Sequence, residues 1–93
     1  MNLEHDEARG FEAQTILQSK LYQEAFAHIE QTLIGQLSTV ELSDDRAKYL
    51  RGLLIANRKV RGYLEQVMLT GRMAAEQKNL LERMRDKTRS ILR

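Results

Sequence analysis

The stretch that decides the fold is SDDRAKYLRGLLIANRKVRGYLEQVMLTGRMAAEQKNLLERMRDKTRSILR, Ser43 to Arg93. It is fifty-one residues without a proline and with only three glycines, Gly52, Gly62 and Gly71. It reads as one very long helix over residues 44–92, or as two end to end. Ser43 is placed to cap it, because its hydroxyl can accept a hydrogen bond from an orphan amide of the first turn. Asp44 and Asp45 suit the positive end of the macrodipole. At ~100° per residue, Leu50, Leu53, Asn57, Val60, Leu64, Val67, Met68, Gly71, Ala74 and Ala75 share one broad face, with Tyr49 and Tyr63 at its margin. That face is expected to be buried. The residues allow one break, at 70–71, where Gly71 is able to end a helix. Continuity is the expectation, since no proline follows and residues 72–78 are strong helix formers.

Working back toward the N-terminus, the turn Ser38 to Leu42 is short enough to force an antiparallel neighbour, and Val40 with Leu42 is expected to staple it. Before it, Leu21, Tyr22, Ala25, Phe26, Ile29, Leu33 and Leu37 recur at three- and four-residue spacing, which predicts a second helix over residues 20–38. Ser19 breaks and recaps the chain. A first helix over residues 1–18, capped by Asn2, has thin apolar content, and Phe11, Ile16 and Leu17 are the side chains expected to dock it. Gly10 costs that helix about 1 kcal/mol relative to Ala. The predicted fold is all-α: a helical hairpin with a short N-terminal helix and a long C-terminal one, forming a single helical domain that oligomerises.

At 93 residues a single small core is expected, with roughly 60–65% of the unfolded chain's surface buried. The chain has no cysteine, which excludes a disulfide framework, a thiolate nucleophile and a cysteine-based zinc site. The acidic start MNLEHDEARG lacks the pattern of a signal peptide, and the longest apolar run, Leu53 to Ala56, is far too short for a membrane span. The expected location is therefore intracellular, with no membrane partner. Charge is divided: residues 1–43 set Arg9 and Lys20 against seven carboxylates, net −5, whereas residues 44–93 carry 13 basic and 6 acidic groups, net +7. Such halves attract each other, other copies, or an acidic partner.

Catalytic arrangements are lacking. His5 lies in the run His5-Asp6-Glu7, whose side chains diverge on a helix and make a poor metal cage; His28 has no Ser, Cys or carboxylate set to work with it. No catalytic residue, metal site, cofactor or small-molecule substrate is predicted. The best charged candidate is Arg51, Arg58, Lys59, Arg61 and Arg72, which could meet an acidic partner or the phosphates of DNA without reading sequence. The alternative is a solvated face that complements the acidic helices. The long helix also outreaches its shorter neighbour, so Leu64, Val67, Met68, Leu80, Leu81, Met84, Ile91 and Leu92 are the candidate oligomer interface.

The blocks Ala8-Arg9-Gly10, Glu24-Ala25-Phe26, Val60-Arg61-Gly62-Tyr63-Leu64 and Thr70-Gly71-Arg72-Met73-Ala74 resemble small proteins encoded among the head and packaging genes of tailed bacteriophages. The resemblance covers about residues 8–77. Family members often start the second helix with a proline, where this chain has Lys20, and the segment after Gln77 looks like an extension. The resemblance implies a non-enzymatic virion assembly or minor structural protein, scaffolding or connector-associated. It would work in the host cytoplasm or the virion beside capsid, portal or terminase protein. Two alternatives stand beside it: a DNA-binding packaging factor similar to a small terminase subunit, and a phage-made inhibitor that masks a host protein.

Overall fold

The computed structural model describes residues 2–92, apart from the side chains of Ser90 and Leu92. It contains three helices, α1 (Leu3–Gln18), α2 (Lys20–Leu37) and α3 (Asp44–Leu92), and no strand among the described residues. Each helix starts where a small polar side chain satisfies an orphan amide: Asn2 Oδ1 accepts from His5 N at 3.1 Å, Ser19 Oγ from Tyr22 N at 3.3 Å, and Ser43 Oγ from Arg46 N at 3.2 Å. Ser19, extended at φ −61° and ψ 126°, is the only residue between α1 and α2. α3 runs unbroken through Gly71.

The contacts along α3 fix the architecture. Glu7 meets Lys78, Gly10 meets Gly71, Arg9 meets Tyr63, Phe26 meets Asn57 and Glu30 meets Arg58. From Glu7–Lys78 through Gly10–Gly71 to Phe26–Asn57, numbers rise along α1 and α2 as they fall along α3. The two short helices therefore form one broken arm, laid antiparallel along a single continuous one. The result is a two-layer rod of 78 × 25 × 16 Å. Its radius of gyration is 21.1 Å, against about 12 Å for a compact domain of this length.

The seam between the arms has a strict three- and four-residue spacing on α3: Ala47, Leu50, Leu54, Asn57, Arg61, Leu64, Met68, Gly71, Ala75 and Lys78. This is the heptad pattern of a coiled coil. Leu50 and Leu33 fill the seam near the turn, where Leu50 is the most completely buried large side chain. Toward α1 the packing changes from large residues to small ones. Gly10 and Gly71 touch so closely that a Cβ on Gly10 would lie 2.7 Å from the Gly71 Cα, and one on Gly71 would lie 2.6 Å from the Gly10 Cα. Ala13 and Ala74 are buried beside them.

Several expectations change here. α1 does not dock through Phe11 and Ile16, which are exposed; Leu17 is half-buried, and the contact is made by Gly10 and Ala13. Its thin apolar content is no obstacle, because close backbone approach replaces long side chains. Val40 is 98% exposed and staples nothing, while Leu42 is half-buried. On α2, Tyr22, Phe26 and Leu37 are half-buried and Leu33 buried, but Leu21, Ala25 and Ile29 are exposed. On α3 the broad face is only partly covered: Leu53 and Val60 remain 40% and 59% exposed. That face holds two seams, and the arm covers one along its length and only the far end of the other.

Candidate interaction surfaces

The second seam is read from the same spacing. Tyr49, Leu53, Ala56, Val60, Tyr63, Val67, Thr70 and Ala74 again alternate intervals of four and three, turned about 100° around α3 from the first seam. Its far end lies under α1, with Ala74 buried and Val67 and Thr70 half-buried; from Tyr49 to Tyr63 all five side chains are exposed. The Arg9–Tyr63 hydrogen bond, 3.0 Å from Nη2 to Oη, marks the flank of the rod to which this seam belongs. Tyr22, Phe26 and Glu30 mark the other flank, where they line a depression with Arg61, Glu65 and Arg72. Helical spacing then puts Leu21, Ala25 and Ile29 on the Tyr63 side, with Ile16 at its edge. One broad flank of the rod is thus apolar and the other polar.

The polar flank contains most of the predicted basic site. Arg58 Nε donates to Glu30 Oε1 at 2.6 Å, and Arg61 Nε lies 3.4 Å from Glu65 Oε1 while its guanidinium stacks 4.8 Å over the Phe26 ring. Arg72 joins Arg61 in lining the depression beside Glu65. Arg51 and Lys59 are exposed. On the unbroken α3 the helical spacing keeps Arg51, Arg58, Arg61 and Arg72 on one side, with Lys59 turned away, and two of them, Arg58 and Arg61, face the protein's own carboxylates. Exposed ion pairs of this kind contribute about 0–1 kcal/mol each.

The third surface is the part of α3 beyond the arm. Asn2, Leu3 and Glu4 gather around Lys78, whose Nζ is 3.9 Å from Glu7 Oε2, and the arm ends there. Residues 79–92 continue for about 20 Å at 1.5 Å per residue with no helix beside them among the described residues. Leu80, Leu81, Met84 and Ile91 are exposed on this overhang, Ile91 at 81%; Leu92, predicted with them, has its side chain outside the described residues. Leu64, Val67 and Met68, predicted for the same interface, are half-buried where the arms meet.

Two features escaped sequence reading. Leu69, Leu80 and Ile91 recur every eleven residues, as do Met73 and Met84; since an eleven-residue repeat nearly matches a straight α-helix, these exposed side chains form one stripe along the back of α3. The spacing was available in the sequence, but only the position of the arm shows that the stripe lies away from it. The second feature is the division of the broad face into two seams. Among the described residues no group of His, Cys, Asp and Glu could hold a metal ion, and no helix is long and apolar enough to cross a membrane. No family model, curated protein or solved structure matches this chain.

Proposed function

We propose that this chain is a non-enzymatic assembly protein of tailed-phage particles, scaffolding or connector-associated, acting through helix-mediated protein contacts. The observation that carries this reading is the overhang: a 20 Å length of helix, held out from the hairpin, with Leu80, Leu81, Met84 and Ile91 open to another molecule. An amphipathic helix offered in this way fits a groove on a partner protein, and the resemblance to head and packaging proteins makes capsid, portal or terminase protein the partner to test. The ion pairs of Arg58 and Arg61 weigh against DNA binding as the main activity.

The test is mass spectrometry of purified virions and of their assembly precursors from infected cells. It is joined to co-purification with head proteins by the intact chain and by a Met84→Glu, Leu80→Glu variant. The expected result is recovery in particles or precursors, with co-purification lost in the variant. Absence from both fractions, or co-purification that the variant retains, would overturn the reading. Binding of the purified chain to DNA that falls steeply with salt would support the packaging factor instead.

A further inference from the structure

We infer that the uncovered second seam takes a second copy of this chain, giving an antiparallel, two-fold dimer whose centre is a four-helix bundle. The inference is independent of the functional reading, which uses the overhang. Its first support is the quantity of core. Among the described residues only Ala13, Leu33, Leu50 and Ala74 are buried apolar side chains. A two-helix rod with so little interior is short of what a chain of this size needs to fold alone.

The second support is the size and chemistry of the face. Tyr49, Leu53, Ala56, Val60 and Tyr63, with Leu21, Ala25 and Ile29 across the groove, expose on the order of 700 Å² of side chain, near the ~800 Å² per partner of a stable interface. None of them is charged, so no unpaired charge is buried when face meets face. The stretch is bounded at one end by Arg46, stacked 5.5 Å over Tyr49, and at the other by α1 covering Val67 and Thr70. A heptad-spaced seam of this kind accepts another helix at a shallow angle.

Charge sets the direction. Residues 79–92 carry Arg83, Arg85, Lys87 and Arg89 against Glu82 and Asp86. Side by side in a parallel dimer, two such overhangs repel; in the antiparallel one they lie at opposite ends. Antiparallel heptads pair unlike positions, so the register that keeps the stretch from Leu53 to Tyr63 in contact sets Ala56 against the partner copy's Val60 position and Leu53 against its Tyr63 position, with Tyr49 left at the margin beside the partner copy's α1. Small then meets β-branched at the centre.

Sedimentation equilibrium of the full chain over a range of concentrations should give twice 10.8 kDa. A single 10.8 kDa species at the highest concentration would overturn the inference, as would a larger assembly. Val60→Glu should abolish the dimer, by dissociation or by unfolding, whereas Leu81→Glu on the overhang should leave its mass unchanged. The reverse outcome would place the interface elsewhere. Geometry is read by disulfides, since the chain has no cysteine of its own. A mixture of Leu53→Cys and Tyr63→Cys proteins should cross-link to each other, and neither should cross-link to itself; self-linking of each would mean a parallel dimer and sink the proposed arrangement.

Discussion

A methyl group added to Gly71 would lie 2.6 Å from the Gly10 Cα and 3.0 Å from the Asp6 carbonyl oxygen, inside any van der Waals contact and against backbone that cannot rotate away. Alanine at Gly10 or Gly71 should therefore cost stability by about 2 kcal/mol or more, because the helices must separate, even though alanine is worth about 1 kcal/mol to an isolated helix. Gly35 and Gly62 are also inside helices, but nothing lies within 4 Å of an added Cβ. The same substitution there should stabilise by about 0.5–1 kcal/mol. Chemical denaturation of the four variants checks the opposite signs. The Tyr22 hydroxyl is buried without a hydrogen-bond partner among the described residues. Tyr22→Phe removes that unpaired group and keeps the ring that stacks on Phe26 at 6.5 Å. It should be neutral or raise stability by up to about 1 kcal/mol; a clear loss on thermal melting would show that the hydroxyl has a partner after all. Phe26 is half-buried, so Phe26→Ala should fall below the roughly 3–5 kcal/mol typical of a fully enclosed ring.

At the scale of the element, α3 has two parts with different roles. Up to Lys78 it shares seams with the arm; beyond Lys78 it has no helical neighbour among the described residues. A chain stopped after Asn79 should melt within about 2 °C of the intact protein, because the exposed side chains it loses add little to folding. A large drop in melting temperature would mean that the overhang folds back onto the rod. The other end of α3 depends on its cap. Ser43→Ala removes the acceptor for Arg46 N and should cost about 1 kcal/mol, seen as a shift of the denaturation midpoint at unchanged slope. Replacing Val40, by contrast, should have no measurable effect on stability, since its side chain is almost wholly in solvent.

At the scale of the molecule, a rod 78 Å long and only 16 Å thick has one internal seam, and its outer surface includes a polar flank, an apolar flank, a back stripe and the overhang. Association through the apolar flank couples folding to concentration, so the melting temperature should rise as protein concentration is increased. A melting temperature that stays constant would favour a self-sufficient monomer. The opposite net charges of the two sequence halves lie on opposing arms, and their attraction is screened by salt.

Much of this architecture was legible in the residues. Ser19 and Ser43 announce helix starts by their hydroxyls, the unbroken run after Asp44 announces a helix longer than its neighbour, and local spacing carries both signals. The candidate surfaces were legible only in part. Leu80, Leu81, Met84 and Ile91 were found because length alone left them without a partner. Leu53 and Val60 were assigned to the buried face because periodicity reports that a residue is apolar and on which side of a helix it lies, but not how much of that side one neighbour can cover. The placement of α1 through Gly10 and Ala13 was beyond the sequence for a related reason. Small residues give no apolar signal, and their meaning appears only when a second backbone arrives at Gly71. Local chemistry, then, determined the helices, their caps and the excess length of α3. The tertiary structure alone decided which of two equally spaced seams is filled, because that depends on where another helix lies across space.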